Sequence, residues 1–198
     1  MISKATSSRF SRAVGVAAVL MSFAGCGGEQ GAGPTNPGDV QRSETGSSGK
    51  GSTASDFSAR DIEGKTVRLS SYLGKQVILL NFWQTWCEPC VAEFPHMRKM
   101  YEAHKDKGFV MFGIAMDGPE TVANVPAFAK RNQLNFPVLL DEDSHVAAIY
   151  NPKKSAPLSI LIDKSGKIAV VREGYNPGDE EYLEADVVKL LNAASAPN

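Results

Sequence analysis

Residues 76–95 read QVILLNFWQTWCEPCVAEFP, and the fold turns on how this stretch is read. Gln76–Trp83 is a mostly apolar run that follows the turn-forming pair Gly74-Lys75, as expected of a strand buried on both faces. From Cys90 to Lys107 the apolar residues Val91, Phe94, Met97, Met100 and Tyr101 recur at helical spacing, and Gly108 supplies the stop. Cys87-Glu88-Pro89-Cys90 lies between them, so the pattern puts two cysteines where a buried strand gives way to a helix.

Downstream, Phe109–Met116 predicts a second buried strand, Gly118-Pro119 a turn, and Pro126 the first turn of a helix running to about Asn132. Val138–Leu140 reads as a short strand and Ser144–Tyr150 as a short helix. Leu158–Asp163 and Lys167–Arg172 flank Lys164-Ser165-Gly166 as a hairpin. A last helix covers Asp179 to Asn192, with Tyr182, Leu183, Val187, Leu190 and Leu191 on its inner side. The order predicts an α/β domain over residues 56–194, with parallel strands first and an antiparallel hairpin last, then a short tail at 195–198.

Upstream, residues 1–25 have the form of an export signal. Lys4, Arg9 and Arg12 make a basic start without any acid, and an apolar stretch runs from Ala13 to Ala24. That stretch is shorter than the roughly 20 residues a spanning helix needs. Phe23-Ala24-Gly25-Cys26 resembles a bacterial lipobox, with Cys26 as the lipidated residue and Phe23 in place of the usual branched aliphatic; a plain secretory signal is the alternative. Residues 26–55 read as a tether: of the 29 residues from Gly27 to Ser55, 18 are Gly, Pro, Ser or Thr, too little apolar surface to offset ordering entropy. A Gly/Ser-rich coil of that length reaches roughly 30 Å.

Hydrophobic residues make up 42% of the 198 and charged residues 22%, which excludes a wholly disordered chain and a polytopic membrane protein. A formal net charge of −1, or −4 once the signal is removed, gives no basic face for nucleic acid. With Cys26 lipidated, Cys87 and Cys90 are the two remaining thiols. A thiolate at a helix N-terminus faces free backbone N–H groups and the positive end of the macrodipole, which lowers the pKa of Cys87 from about 8.5 toward 7 or below. Cys87 is thus the exposed first cysteine, and Cys90, one turn in, is the more buried thiol and acts second.

Other uses of the pair fit less well. Zinc needs four ligands, and only His96, His104 and His145 could join two cysteines. A structural disulfide across so short a loop gains modest entropy, and a copper pair lacks a well-placed histidine. Redox exchange is the favoured reading, with no metal or other cofactor. Trp83 and Trp86 read as core and rim aromatics, His96 as a surface or groove residue, and Asp141-Glu142-Asp143 as a solvated cap before a helix.

Asn81 to Pro95 resembles the active-site stretch of thioredoxin-like proteins, and within them the exported TlpA/ResA-like branch, which is grouped with the AhpC/TSA proteins. The likeness runs from about Asp56 to Leu191. Ala156-Pro157 sits where that family carries a cis-proline before a strand, and Arg172-Glu173-Gly174-Tyr175 is similar to the segment before its last helix. The resemblance implies a thioredoxin-like fold, a central mixed sheet flanked by helices. It also implies attack by Cys87 on a substrate disulfide and resolution by Cys90, with Pro157 abutting the pair and Trp86, Glu88 and Pro89 shaping the site. Asn81 stands where cytoplasmic thioredoxins bury an aspartate. Glu93 matches the acid that ResA-like proteins place near the pair, which makes it the candidate proton handler, partly desolvated with a raised pKa. Glu88 opposes thiolate formation at Cys87 and so favours a more reducing potential.

From the same resemblance follow a membrane-tethered reductant outside the cytoplasm, protein disulfides (for example apocytochrome c) as substrates, and a DsbD/CcdA-type membrane electron donor. Two alternatives belong to other classes: a lipoprotein binding module with an inert disulfide, and a peroxidase. The peroxidatic pattern Pro-x-x-x-Thr-x-x-Cys is unmatched, since Leu80 and Gln84 occupy its proline and threonine positions relative to Cys87.

Overall fold

In the computed structural model, which describes residues 49–193, strand β3 (Val77–Trp83) is buried along its whole length. It pairs in parallel with β4 (Phe109–Ala115) and antiparallel with β6 (Leu158–Ile162). Its successive side chains point to opposite faces, and both faces are covered. Val77, Leu79 and Trp83 join one apolar cluster with Phe94 and Met97 of helix α1 (Glu88–His104), Phe128 of α2 (Val125–Arg131), and Leu183 and Val187 of α4 (Asp179–Asn192). Ile78, Leu80 and Phe82 join a second cluster with Val146 and Tyr150 of α3 (His145–Tyr150). A strand packed on both sides needs apolar residues at every position, which is why 76–83 lacks the alternation of a half-exposed strand.

Among the described residues the sheet has seven strands, in the order β2-β1-β5-β4-β3-β6-β7. Strand β5 (Val138–Leu140) continues the parallel part beside β4, and β7 (Ile168–Glu173) closes one edge antiparallel to β6. The α/β class and the mixed central sheet are as expected from the sequence.

Four local expectations change. The other edge is a hairpin of β1 (Ser58–Asp61) and β2 (Thr66–Arg68), which the sequence reading did not foresee. Its strands are short and half-exposed, so they carry no apolar run; the turn is held by Asp61 Oδ1, which accepts from the backbone N–H of Glu63 (2.9 Å) and Lys65 (2.8 Å). Residues 49–55, read as part of the tether, belong to the fold. Gly51 N donates to Ile168 O at 2.7 Å, Ala54 N to Gly166 O at 2.8 Å, and Ala54 is buried. Tyr182, placed on the inner side of α4, is 64% exposed, because Leu183 and Val187 define the buried stripe one residue further round the helix. Asp141 is no solvated cap: it is buried and accepts from the backbone N–H of Val146 and Ala147, both at 2.8 Å, at the start of α3. The export signal, Cys26, most of the tether and the 194–198 end lie outside the described residues.

Gly113 of β4 lies beside Asn81 in the register, under the α1 layer. A Cβ there would stand 2.9 Å from both the Phe136 ring and Trp83 Nε1. Gly113→Ala is therefore expected to lower stability by about 1–3 kcal/mol, read as a shift of the urea midpoint; an unchanged midpoint would show that the aromatic cluster can give way.

Candidate active site

The strand-to-helix junction forms because β3 ends at Trp83 in the middle of the sheet and the chain turns out through Gln84-Thr85-Trp86. Cys87 is the N-cap of α1, with extended backbone, and Pro89 occupies the first turn, where no N–H is needed. Cys87 and Cys90 are joined as a disulfide, with Cα atoms 5.3 Å apart, and the Cys90 N–H points at Cys87 Sγ at 3.3 Å. Cys87, expected to be exposed, is only 7% exposed in the oxidised pair because it joins the apolar cluster under α1; Cys90 is fully buried, so Cys87 is still the more accessible of the two. A thiolate released at Cys87 meets the free N–H groups of the first turn. Trp86 is 57% exposed beside it and Trp83 is fully buried, the rim and core positions read from the sequence. Glu88 is exposed in the first turn.

Glu93 lies on the inner face of α1, only 5% exposed, and accepts a hydrogen bond from Asn81 Nδ2 at 3.2 Å. Burial pushes its carboxyl up to about 7, the Asn81 hydrogen bond opposes the shift, and Asp179 and Glu180 at the start of α4 add to it. Asn81 is fully buried, and its Nδ2 also donates to Ser159 Oγ at 3.1 Å. These two residues are register partners on β3 and β6 and share the face under α1.

Pro157 is buried just before β6, after a cis Ala156–Pro157 bond, and its carbonyl accepts from Gly174 N at 2.8 Å. Leu158 pairs with Phe82, so Pro157 stands at the Cys87 end of the sheet. His96 Nδ1 is 3.4 Å from Glu180 Oε1, and the Tyr175 hydroxyl donates to Glu180 Oε2 at 3.0 Å. His96 is thus a groove residue between α1 and α4.

Two contributors went unread in the sequence. Asp117, just past β4, is fully buried and accepts from Thr85 N (3.0 Å) and Thr85 Oγ1 (2.5 Å). It fixes the loop that delivers Trp86 and Cys87. Its signal in the sequence is an acid that follows an apolar strand without a break, next to the stronger turn signal of Gly118-Pro119. The second is Ser159, whose polar side chain in an otherwise apolar run marked the spot. Among the described residues no three His, Cys, Asp or Glu side chains are placed to hold a metal ion, and no helix is long and apolar enough to cross a membrane.

Against known proteins, residues 50–171 match the AhpC/TSA family. The chain is 40% identical over 136 residues to the thiol-disulfide oxidoreductase ResA of Bacillus thuringiensis subsp. konkukian, covering 68% of this chain and 76% of that protein. Its structure is similar to that of a Chlorobium tepidum protein described as a thiol:disulfide interchange protein DsbE, with a TM-score of 0.67 and 33% identity over 74% of this chain and all of the other. It is also similar to a secreted Mycobacterium tuberculosis disulfide oxidoreductase homologous to E. coli DsbE, with a TM-score of 0.58 and 27% identity, covering 68% and 96% of the two chains.

Glu93 holds its proton up to about pH 7 in the folded chain and to 4.5 at its ordinary value. Between those values the folded state binds more protons than the unfolded state, so this group makes stability fall as pH rises. Glu93→Gln is expected to abolish that slope, a gain on the order of 3 kcal/mol at pH 8 relative to pH 4. Urea unfolding of both proteins at the two pH values measures it, and equal slopes would mean Glu93 titrates normally.

Proposed function

Because this chain belongs to the AhpC/TSA family and is a thiol-disulfide oxidoreductase of thioredoxin-like fold, we propose that it reduces protein disulfides outside the cytoplasm, tethered to a membrane through Cys26. The observation that carries the reductant's mechanism is the buried Glu93 on the same helix as a shielded Cys90.

The Cys87 thiolate attacks one sulfur of a substrate disulfide, forming a mixed disulfide and releasing one substrate thiolate. Cys90 then gives its proton to the Glu93 carboxylate and attacks Cys87 Sγ. The second substrate sulfur leaves as a thiolate, and the Cys87–Cys90 disulfide remains. The substrate takes up two electrons and, from Glu93 and water, two protons. A carboxyl poised near 7 suits this step, because it accepts a proton at neutral pH and gives it up again. Pro157, at the same end of the sheet, borders the surface on which an extended substrate chain lies.

The oxidised pair must be reset by a two-electron dithiol donor. In an oxidising compartment a membrane protein of DsbD/CcdA type is the donor class that fits, and apocytochrome c, with its haem-site cysteines, is a substrate of the required kind. Glu88, exposed beside Cys87, disfavours the thiolate and hence favours a reducing potential.

The chain path supports the tether. Gly51 and Thr53 pair with Ile168 and Lys167, at the end of the sheet remote from Cys87. A tether joined there meets the domain at the end opposite its cysteines. The secreted mycobacterial relative supports the compartment. A peroxidase is disfavoured: Leu80, at the peroxidatic proline position, is buried in mid-strand on the face opposite the cysteines.

The equilibrium potential of Cys87–Cys90 is expected below about −200 mV, toward thioredoxin's range. A value near about −120 mV, that of DsbA, would make the protein an oxidant instead. Cys90→Ser is expected to accumulate a mixed disulfide on Cys87, and Cys87→Ser to lose exchange altogether. Exchange surviving in Cys87→Ser, or steady consumption of peroxide, would assign the cysteines another role.

A further inference from the structure

The row of side chains that crosses the sheet beneath Glu93 contains Gly113 of β4, Asn81 of β3 and Ser159 of β6, which are neighbours in the strand registers. Asn81 is fully buried, and both hydrogens of its Nδ2 are committed, one to Glu93 Oε2 at 3.2 Å and one to Ser159 Oγ at 3.1 Å. Its Oδ1 is also buried and has no hydrogen-bond partner. An amide that satisfies one end and leaves the other bare is a poor choice for a purely structural core position, because the unmatched acceptor carries a desolvation cost.

We propose that Asn81 is a positioning residue that serves both protonation states of Glu93 by reversing its side-chain amide. This role presupposes that Glu93 accepts the Cys90 proton. With Glu93 ionised, Nδ2 donates to the carboxylate and to Ser159. When the proton sits on Glu93 Oε2, the oxygen that faces Nδ2, its O–H becomes a donor facing a donor. Half a turn of the amide about Cβ–Cγ exchanges two groups of nearly equal shape. Oδ1 then accepts from Glu93 O–H and from the Ser159 hydroxyl, which can donate as readily as it accepts. No backbone movement is required. An aspartate here would place a second carboxylate beside Glu93, and a leucine would serve neither state.

The two orientations are unequal. Reversal puts two N–H donors in the place where the bare oxygen stood, so the ionised form is the better matched. The amide therefore opposes the effect of burial on Glu93. The other charged or titratable groups that act on this carboxyl are Asp179 and Glu180 on α4 and Tyr175 in the loop before it; on its own helix, His96 lies against Glu180 and Cys90, titratable once reduced, is one turn away. β3 and β6 present the neutral Asn81 and Ser159. Arg172, next in the row on β7, is held by Asp186 at 2.6 Å.

The test is an NMR titration of the full chain, with labelled glutamate carboxyls and asparagine side-chain amides, in its reduced state. In the unaltered protein the Asn81 NH₂ protons are expected to lie close to Glu93 and Ser159 at high pH and to leave them as Glu93 takes up its proton. An amide whose contacts do not change through that titration overturns the reversal, and this reading needs no variant to fold. Asn81→Leu is expected to raise the Glu93 midpoint by about one pH unit, with a parallel shift in the pH profile of disulfide exchange; Ser159→Ala should shift it less. An unmoved Glu93 midpoint in folded Asn81→Leu overturns the positioning role. If the amide reverses and the midpoint moves while the exchange profile stays in place, Asn81 keeps its role toward Glu93, and the assignment of Glu93 as proton acceptor is what fails.

Discussion

Strand β3 is hydrogen-bonded along both edges and covered on both faces, and the reacting groups are hung from its C-terminal end or set against its α1 face. A strand so enclosed has no freedom to shift its register, since a slip of one residue would turn Asn81 into the opposite cluster and a large apolar side chain under Glu93. The rigidity at Trp83 is passed to the loop after it through Thr85, which Asp117 grips at both its backbone N–H and its hydroxyl. Cys87 therefore enters the helix at a defined place, where the first-turn N–H groups can meet a developing thiolate.

Enclosure also creates the chemistry. A glutamate on an exposed helical face titrates near 4.5, far from any thiol; the same residue under α4 and against β3 is carried to about 7. Burial is the first cause, and the acidic start of α4 adds repulsion while Asn81 draws the other way. The stability lost by ionising a buried acid is the counterpart of having a proton acceptor with affinity near neutrality. Glu180 is itself held by the Tyr175 hydroxyl and lies against His96.

Much of this was legible in the chain. The enclosed strand, the Cys-x-x-Cys spacing at a strand-to-helix junction and the hairpin at Lys164-Ser165-Gly166 are local features, and each emerged at or within a residue or two of its expected position. The cis bond before Pro157, implied by family likeness, is present as well. The failures share a cause. β1 and β2 are short edge strands whose side chains are half-exposed, so they lack a hydrophobic period. Residues 49–55 are composed like a linker and are ordered by pairing with β7 instead of by burial of large side chains. Tyr182 was assigned to the core on hydrophobic spacing alone, and the packing of α4 selected Leu183 in its place.

The sequence by itself determined the strand–cysteine–helix unit, because its constraints act between residues a few positions apart: apolar continuity, a proline that suits the first turn, two thiols three residues apart. Only the tertiary structure decided what surrounds Glu93. Asn81 and Ser159 are 78 residues apart in the chain and Thr85 and Asp117 are 32 apart, and they meet through the registers of β3 with β6 and β4. Register is set by the closure of the whole sheet and its two cores, so no local pattern carries it. Solvent exclusion, which turns an ordinary glutamate into a neutral-pH proton acceptor, is likewise a property of the assembled layers.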